Sequence, residues 1–456
     1  VIAVCNPEGN PVAVHVMDGA FIVSFDVAMK KAYTAVAVKM STMELSKLAR
    51  SLGNSTVREM YEKARTIENP VSFTLGEPDF ITPEPIIEEA CRNWMAGKTH
   101  YTPNRGIPEL CSAISEYHKN DIAPDPNSQI MVSCGATEAL QIALLTLVDP
   151  GDEVIVCTPV WPNYFGQIAM AGAICKPVPV YEENNFMPDP DDIKKAITPK
   201  TKLLMLNFPS NPTGAVLDYD SSKALADIVL NNNIFVLTDE IYSRIVFDET
   251  NTSITSFPGI MDRCVYVSGF SKMFAMTGWR LGYAISTPEI ISQMAKLHEN
   301  SASNLPEPSQ MAAAYGLCHC DSAIDRMRDS YHKRRDLICG LLNEIPGVSI
   351  RVPKGAFYAF ANVKELQKQL GMTTRELCFD LVEKSGVVIV PGTGFGEAGD
   401  GFVRITFRDR KQRAKLKLVR RAKKSRSASI AVSRTSSARL SHITVARAGA
   451  PCTAFT

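Results

Sequence analysis

The chain has 456 residues, 45% of them hydrophobic and 21% charged, with a formal net charge of +1. That length favours two or three domains over one core, and no apolar run approaches the roughly 18 residues a membrane helix requires. The near-neutral total hides an asymmetry: residues 411–456 hold twelve Lys/Arg and no acid, so 37 basic and 48 acidic side chains precede them, and the body is not a polyanion binder.

The opening "VIAVCNPEGNPVAVHVMDGA" lacks a basic start and a small-residue cleavage site, so no signal peptide is expected. The missing initiator Met suggests a start inside a longer reading frame. Residues 1–50 read as strand, turn at "NPEGN", strand and helix, which is too little to close a core. The twelve cysteines are scattered without metal-ligand or disulfide-framework spacing, so no metal site is expected and reduced thiols in a cytoplasm fit best.

From about Asp121 the pattern becomes regular. Strand "QIMVSC", helix "ATEALQIALLTLV", strand "EVIVCTP", strand "KLLMLNF", helix "SSKALADIVLNNN" and strand "IFVLTDE" follow one another. Short apolar strands alternating with helices predict an α/β fold whose mostly parallel sheet is covered on both faces. Around 305–410 a long helical stretch, "MRDSYHKRRDLICGLLNEI", and the strands "FYAFANV", "VVIVPG" and "FVRITF" predict a smaller α+β domain. After Asp409 the chain turns basic, Ser-rich and weakly patterned, which predicts a disordered or aberrant tail; its lack of interleaved aromatics argues against nucleic-acid binding.

Lys272 lies in "SGFSKMFAMTGWRLGY", in the loop leaving strand "CVYVSG", where α/β sheets collect ligand groups. A lysine there pays desolvation unless it reaches water or has a role. Asp239 ends "IFVLTD" and alone reads equally as a helix cap or a strand-end acid; Tyr242 reads as a core tyrosine and Asn211 of "NPTG" as a turn residue. "SCGATEAL" opens a helix whose first backbone N–H groups, at Ala136 and Thr137, could face an anion. Arg404 alternates with apolar neighbours in "FVRITF", as an edge-strand arginine would.

Taken together, "SGFSKMFAMTGWRLGY", "NPTG" at 211–214 and "TDEIY" at 238–242 resemble the class I/II pyridoxal-phosphate-dependent aminotransferases, over about residues 51–408. The resemblance implies fold type I, with an arm at 51–86, a large cofactor-binding domain at 87–304 and a small domain at 305–410. It implies that Lys272 forms the Schiff base to pyridoxal phosphate, that Asp239 pairs with the pyridine nitrogen, and that Tyr242 and Asn211 hydrogen-bond the phenolic oxygen. Ala136, Thr137, Ser271 and Arg280 would hold the phosphate, and Trp161 would stack on the ring. Arg404 would clamp the substrate carboxylate with help from Asn211 and the backbone of Gly76. Tyr101 would reach the phosphate of a neighbouring subunit, which implies a homodimer with shared sites.

Gly269 stands where some relatives carry a further serine, and Arg105 is a candidate second cation for an acidic substrate side chain. The implied reaction moves an amino group from an L-amino acid to a 2-oxo acid by a ping-pong route. A lyase on the same fold and a catalytically silent cofactor-binding protein remain open alternatives. The first 50 or so residues are similar to part of the GlcG-like haem-binding family, but a fragment that short is not expected to bind haem, and neither His15 nor His100 is proposed as a ligand.

Overall fold

The computed structural model describes residues 2–5, 11–15 and 56–408. The readings of a helix after residue 25 and of a basic tail at 411–456 lie outside the described residues. At the N-terminus β1 (Ile2–Cys5) and β2 (Pro11–His15) form the expected antiparallel pair, Ile2 opposite His15. β3 (Val71–Ser72) follows the helix Thr56–Arg65.

A seven-stranded sheet contains β4 (Ile130–Ser133), β5 (Glu153–Thr158), β6 (Ile174–Pro179), β7 (Thr201–Asn207), β8 (Phe235–Asp239), β9 (Cys264–Gly269) and β10 (Gly282–Ile285). Its order is β4-β10-β9-β8-β7-β5-β6, with β10 antiparallel to both neighbours and the pairs from β9 to β6 parallel. Residues alternate between two covered faces. Met131, Val154, Val156, Leu203, Met205, Val265 and Val267 pack with the helices Ala136–Leu147, Asn163–Met170 and Pro288–Ser301. Ile155, Leu204, Leu206, Val236 and Cys264 enter a second core on the other side. Burial on both sides explains why these strands read as nearly unbroken apolar runs. β6 escapes the pattern because it is an edge strand with two prolines, Pro177 and Pro179, and mostly incomplete burial.

A second sheet is antiparallel, in the order β11 (Ser349–Ile350), β12 (Tyr358–Asn362), β15 (Phe402–Thr406) and β14 (Val390–Pro391). Arg404 is not an edge residue: β15 is central, and Arg404 sits opposite Phe360 on one side and Val390 on the other. β3 pairs in parallel with β13 (Val387–Val388), so the segment before residue 86 is tied to the chain's last hundred residues. That pairing brings the helix Thr56–Arg65, with Met60 and Ala64 buried, to the edge of the cavity described next.

Candidate active site

The carboxyl ends of β7, β8 and β9 deliver Asn207, Asp239 and, in the short helix that directly follows β9, Lys272. Open α/β sheets place ligands at such strand ends. Lys272 lies in the helix Phe270–Met273 rather than in a loop. These residues open onto a cavity of about 600 Å3, a size suited to a cofactor with a small substrate. Gly76, Ala136, Thr137, Trp161, Asn211, Asp239, Tyr242, Ser271, Lys272, Arg280 and Arg404 all line it.

Lys272 Nζ donates to the carbonyl of Gly76 at 2.6 Å and lies 5.9 Å from the ring centroids of both Tyr242 and Phe357. Burial pushes its amine down from 10.5 to about 8; Arg280 and Arg404 add to the fall, whereas Glu77 and Asp239 oppose it. An amine so tuned is available as a nucleophile and base near neutral pH. Asp239 is buried and its carboxyl is pushed up to about 6 by burial, held back by hydrogen bonds from the Tyr164 hydroxyl at 2.6 Å and the Ile241 N–H at 3.1 Å. A buried acid with a raised pKa gains from an adjacent cation. Asn207 Nδ2 donates to the Asp239 carbonyl at 3.0 Å, and Asn207 Oδ1 accepts from the Asn211 N–H at 3.0 Å, tying the ends of β7 and β8 to the turn after them.

Tyr242 and Tyr358 share a hydroxyl–hydroxyl hydrogen bond of 2.6 Å, and burial raises both phenols above their ordinary pKa, Tyr242 well above it. Arg404 is 2% exposed, donates to Asn211 Oδ1 at 3.0 Å and to the Thr74 carbonyl, and lies 4.7 and 4.6 Å from the ring centroids of Tyr358 and Phe395. Its buried Nε has no hydrogen-bond partner among the described residues, a donor left over for an anion.

At the other end, Gly135, with φ 76°, caps the helix Ala136–Leu147. Arg280 is packed so near that a Cβ on Gly135 would lie 2.6 Å from Nη2. Ser271 lines the same region. Helix-start N–H groups, a guanidinium and a hydroxyl form a donor set for a phosphate. Glu138 braces the turn: it accepts from the Cys134 N–H at 2.6 Å and from Ser301 Oγ at 2.8 Å, and lies 3.2 Å from His298 Nδ1.

The glycine at 269 has a packing cause. A Cβ there would come within 2.9 Å of Gly282 Cα and 3.0 Å of the Leu281 carbonyl, so β9 and β10 leave no room for a serine. On the partner strand, a Cβ at Gly282 would lie 2.4 Å from Ala136 N and 2.5 Å from Gly135 C. Gly282→Ala is expected to cost about 1–3 kcal/mol of stability and to loosen the Gly135–Ala136 turn. Thermal unfolding of the cofactor-free protein and a phosphate-ester titration measure the two effects.

Tyr101 is not in this cavity: it is 93% exposed and borders a separate hollow with Trp94, His100 and Asn304. Arg105 does not line this cavity either: it donates to the Ile130 carbonyl at 3.4 Å and to the Asn127 carbonyl of its own chain. Sequence reading missed Tyr164, Asn207, Tyr358 and the cavity-lining residues Val57, Arg58 and Tyr61. Tyr164 follows Trp161 by three residues, the two rings set edge to face at 5.3 Å, and that spacing was a usable signal.

Residues 68–417 match the family described as Aminotransferase class I and II, and residues 1–76 match the haem degrading protein HbpS-like family. The chain is 38% identical over 365 residues to an aspartate aminotransferase of Pyrococcus horikoshii, covering 79% of this chain and 91% of the relative. It is 38% identical over 370 residues to aromatic-amino-acid aminotransferase 2 of Thermococcus litoralis, covering 80% and 94%. Among solved structures it is similar to aspartate aminotransferase from Thermus thermophilus with maleate, with a TM-score of 0.76, 33% identity and coverage of 81% of this chain and 97% of that one.

Proposed function

We propose, from the premise that the chain belongs to the class I and II aminotransferase family, that the cavity around Lys272 is its active site and that the residues lining it divide the work as follows. The protein is a fold type I aminotransferase that uses pyridoxal phosphate and moves an amino group between amino acids and 2-oxo acids. When bound, the cofactor supplies the carbonyl that takes up the amino group and the ring that accepts electrons from the substrate Cα.

Lys272 would hold the cofactor through its amine and would carry the proton at the substrate Cα, a task that suits an amine whose pKa burial lowers to about 8 in the cofactor-free protein. Asp239 holds a proton at the ring nitrogen, and the cation there repays the burial that raises its own pKa. Tyr164 orients Asp239 through the 2.6 Å hydrogen bond. Tyr242 and Asn211 serve the phenolic oxygen, and Trp161 offers an apolar ring face. Ala136, Thr137, Ser271 and Arg280 hold the phosphate, and Arg404 with Asn211 and the backbone at Gly76 binds the substrate carboxylate. The observation that carries this reading is the gathering, in one cavity, of a lowered-pKa lysine, a buried acid and a buried arginine with a spare donor.

We read the chain as an arm at 51–86, a large domain at 87–304 and a small one at 305–410, and as a cytoplasmic homodimer. Tyr101, exposed on its own subunit, is available to a neighbour's phosphate site. No helix among the described residues is long and apolar enough to cross a membrane.

Amino donor without acceptor tests the reaction type. A ping-pong transferase releases one 2-oxo acid per subunit and then stops until a second 2-oxo acid is added; sustained ammonia release without acceptor would mark a lyase.

Tyr164→Phe is a finer test. Loss of that hydroxyl removes a donor to the Asp239 carboxylate, so the Asp239 pKa rises above about 6 and its charged form becomes scarcer at pH 7. Cofactor affinity, measured by absorbance titration, is expected to fall about tenfold or more, with partial recovery as pH rises.

A further inference from the structure

We infer that Tyr358 is a positioning residue of the cofactor site: its hydroxyl donates to the Tyr242 hydroxyl and so strengthens the bond that Tyr242 gives the cofactor's phenolic oxygen. This rests on the reading of the cavity given above.

Tyr358 opens β12 of the second sheet, and Tyr242 lies three residues beyond the end of β8 in the first. Their hydroxyls meet at 2.6 Å, both side chains are buried, and neither hydroxyl has another hydrogen-bond partner among the described residues. A phenol has one proton to give and lone pairs with which to accept. In the cofactor-free protein either oxygen can be the donor. Once the Tyr242 proton is committed to the phenolic oxygen, only Tyr358 supplies a proton between the two rings, and the direction of their bond is fixed. A hydroxyl that accepts one hydrogen bond gives a stronger one, most of all where water is excluded.

The surroundings suit that direction. Burial raises both phenols, Tyr242 well above its ordinary pKa. For Tyr358 the Arg404 guanidinium, 4.7 Å from its ring centroid, opposes the rise most, ahead of the Tyr242 bond itself, so Tyr358 is the more acidic of the pair and the better donor. Gly76 leaves room for the hydroxyl, because a Cβ there would collide with Tyr358 Oη. The two tyrosine rings meet edge to face at 5.6 Å and 83°, so Tyr358→Phe removes the hydroxyl and keeps the ring contacts with Tyr242 and Arg404. A core aromatic whose hydroxyl only fills space is the competing explanation, and it predicts that this change leaves the cofactor untouched.

The visible absorption of the cofactor-loaded protein changes with pH as the proton shared by the Lys272 nitrogen and the phenolic oxygen is lost. A donor to that oxygen favours the deprotonated side, where the negative charge stands uncompensated. In Tyr358→Phe the midpoint of the change is therefore expected to rise by about 0.5 to 1 pH unit. Tyr242→Phe should raise it further. Adding Tyr358→Phe to Tyr242→Phe should then do little, because the second hydroxyl acts only through the first. Amino transfer by Tyr358→Phe should slow about 3- to 10-fold in kcat with KM nearly unchanged, since the ring against Arg404 stays. Tyr283→Phe removes a buried hydroxyl that lies outside the cavity, 2.9 Å from His118 Nε2, and should leave the midpoint where it was.

An unmoved midpoint in Tyr358→Phe overturns the inference, as does a rise of the same size in the Tyr242→Phe background. A loss carried by KM alone places the hydroxyl on the substrate and overturns it too. A wild type that shows no visible band with pyridoxal phosphate overturns the reading of the cavity, and this inference with it.

Discussion

Replacing Lys272 by alanine is expected to lower the rate of amino transfer at least about 10,000-fold, because one amine serves as both covalent anchor and proton carrier. The same change frees the fold of a burden. In the cofactor-free protein the Lys272 amine sits near 8 against an ordinary 10.5, so its charged form is disfavoured by burial. Below pH 8 the folded and unfolded chains are both protonated and the full cost is present. Between about 8 and 10.5 the unfolded chain binds more protons, so stability rises with pH, and above that window the cost is gone. Lys272→Met should therefore stabilise the cofactor-free protein at pH 7 by up to about 3 kcal/mol, less what the lost bond to the Gly76 carbonyl contributes. Denaturant titration at pH 7 and again near pH 10 measures this, and the advantage should narrow at the higher pH.

The second large effect belongs to Arg404. It is 2% exposed, fixed by Asn211 and the Thr74 carbonyl and flanked by Tyr358 and Phe395, so a lysine cannot reproduce its fork or fill its planar slot. Arg404→Lys is expected to reduce kcat/KM about 100-fold or more, mainly through KM, with cofactor affinity little affected. A matching loss of cofactor binding would instead make Arg404 a support of the cavity. A comparison of KM with the cofactor titration separates the two results.

The residues most legible in the sequence are those that end strongly patterned strands. Asp239 closes β8 and Lys272 follows β9, and such strands are easy to place because burial on both faces removes polar positions from them. Tyr358 was hidden for the same reason: in "FYAFANV" a tyrosine aimed at Tyr242 looks like any core aromatic. Asn207 and Tyr164 act through hydrogen bonds to Asp239 that no local pattern announces. The two arginines separate most clearly. Arg105 stands in a conspicuous loop but braces main-chain carbonyls, whereas Arg58 reaches the cavity only because β3 pairs with β13, a contact between segments more than 300 residues apart. Local spacing carries no information about such a pairing. β10 was unread for a related reason: at four residues it is short, and its antiparallel place between β4 and β9 depends on the two glycines that let β9 and β10 approach.

The central claim is that Lys272 holds the cofactor in this cavity. Borohydride reduction of the cofactor-loaded protein fixes a lysine-bound cofactor permanently, and peptide mapping by mass spectrometry then locates it. The account predicts the label on the peptide carrying Lys272 and its disappearance in Lys272→Ala; a label on any other lysine, with Lys272 unmodified, would contradict it.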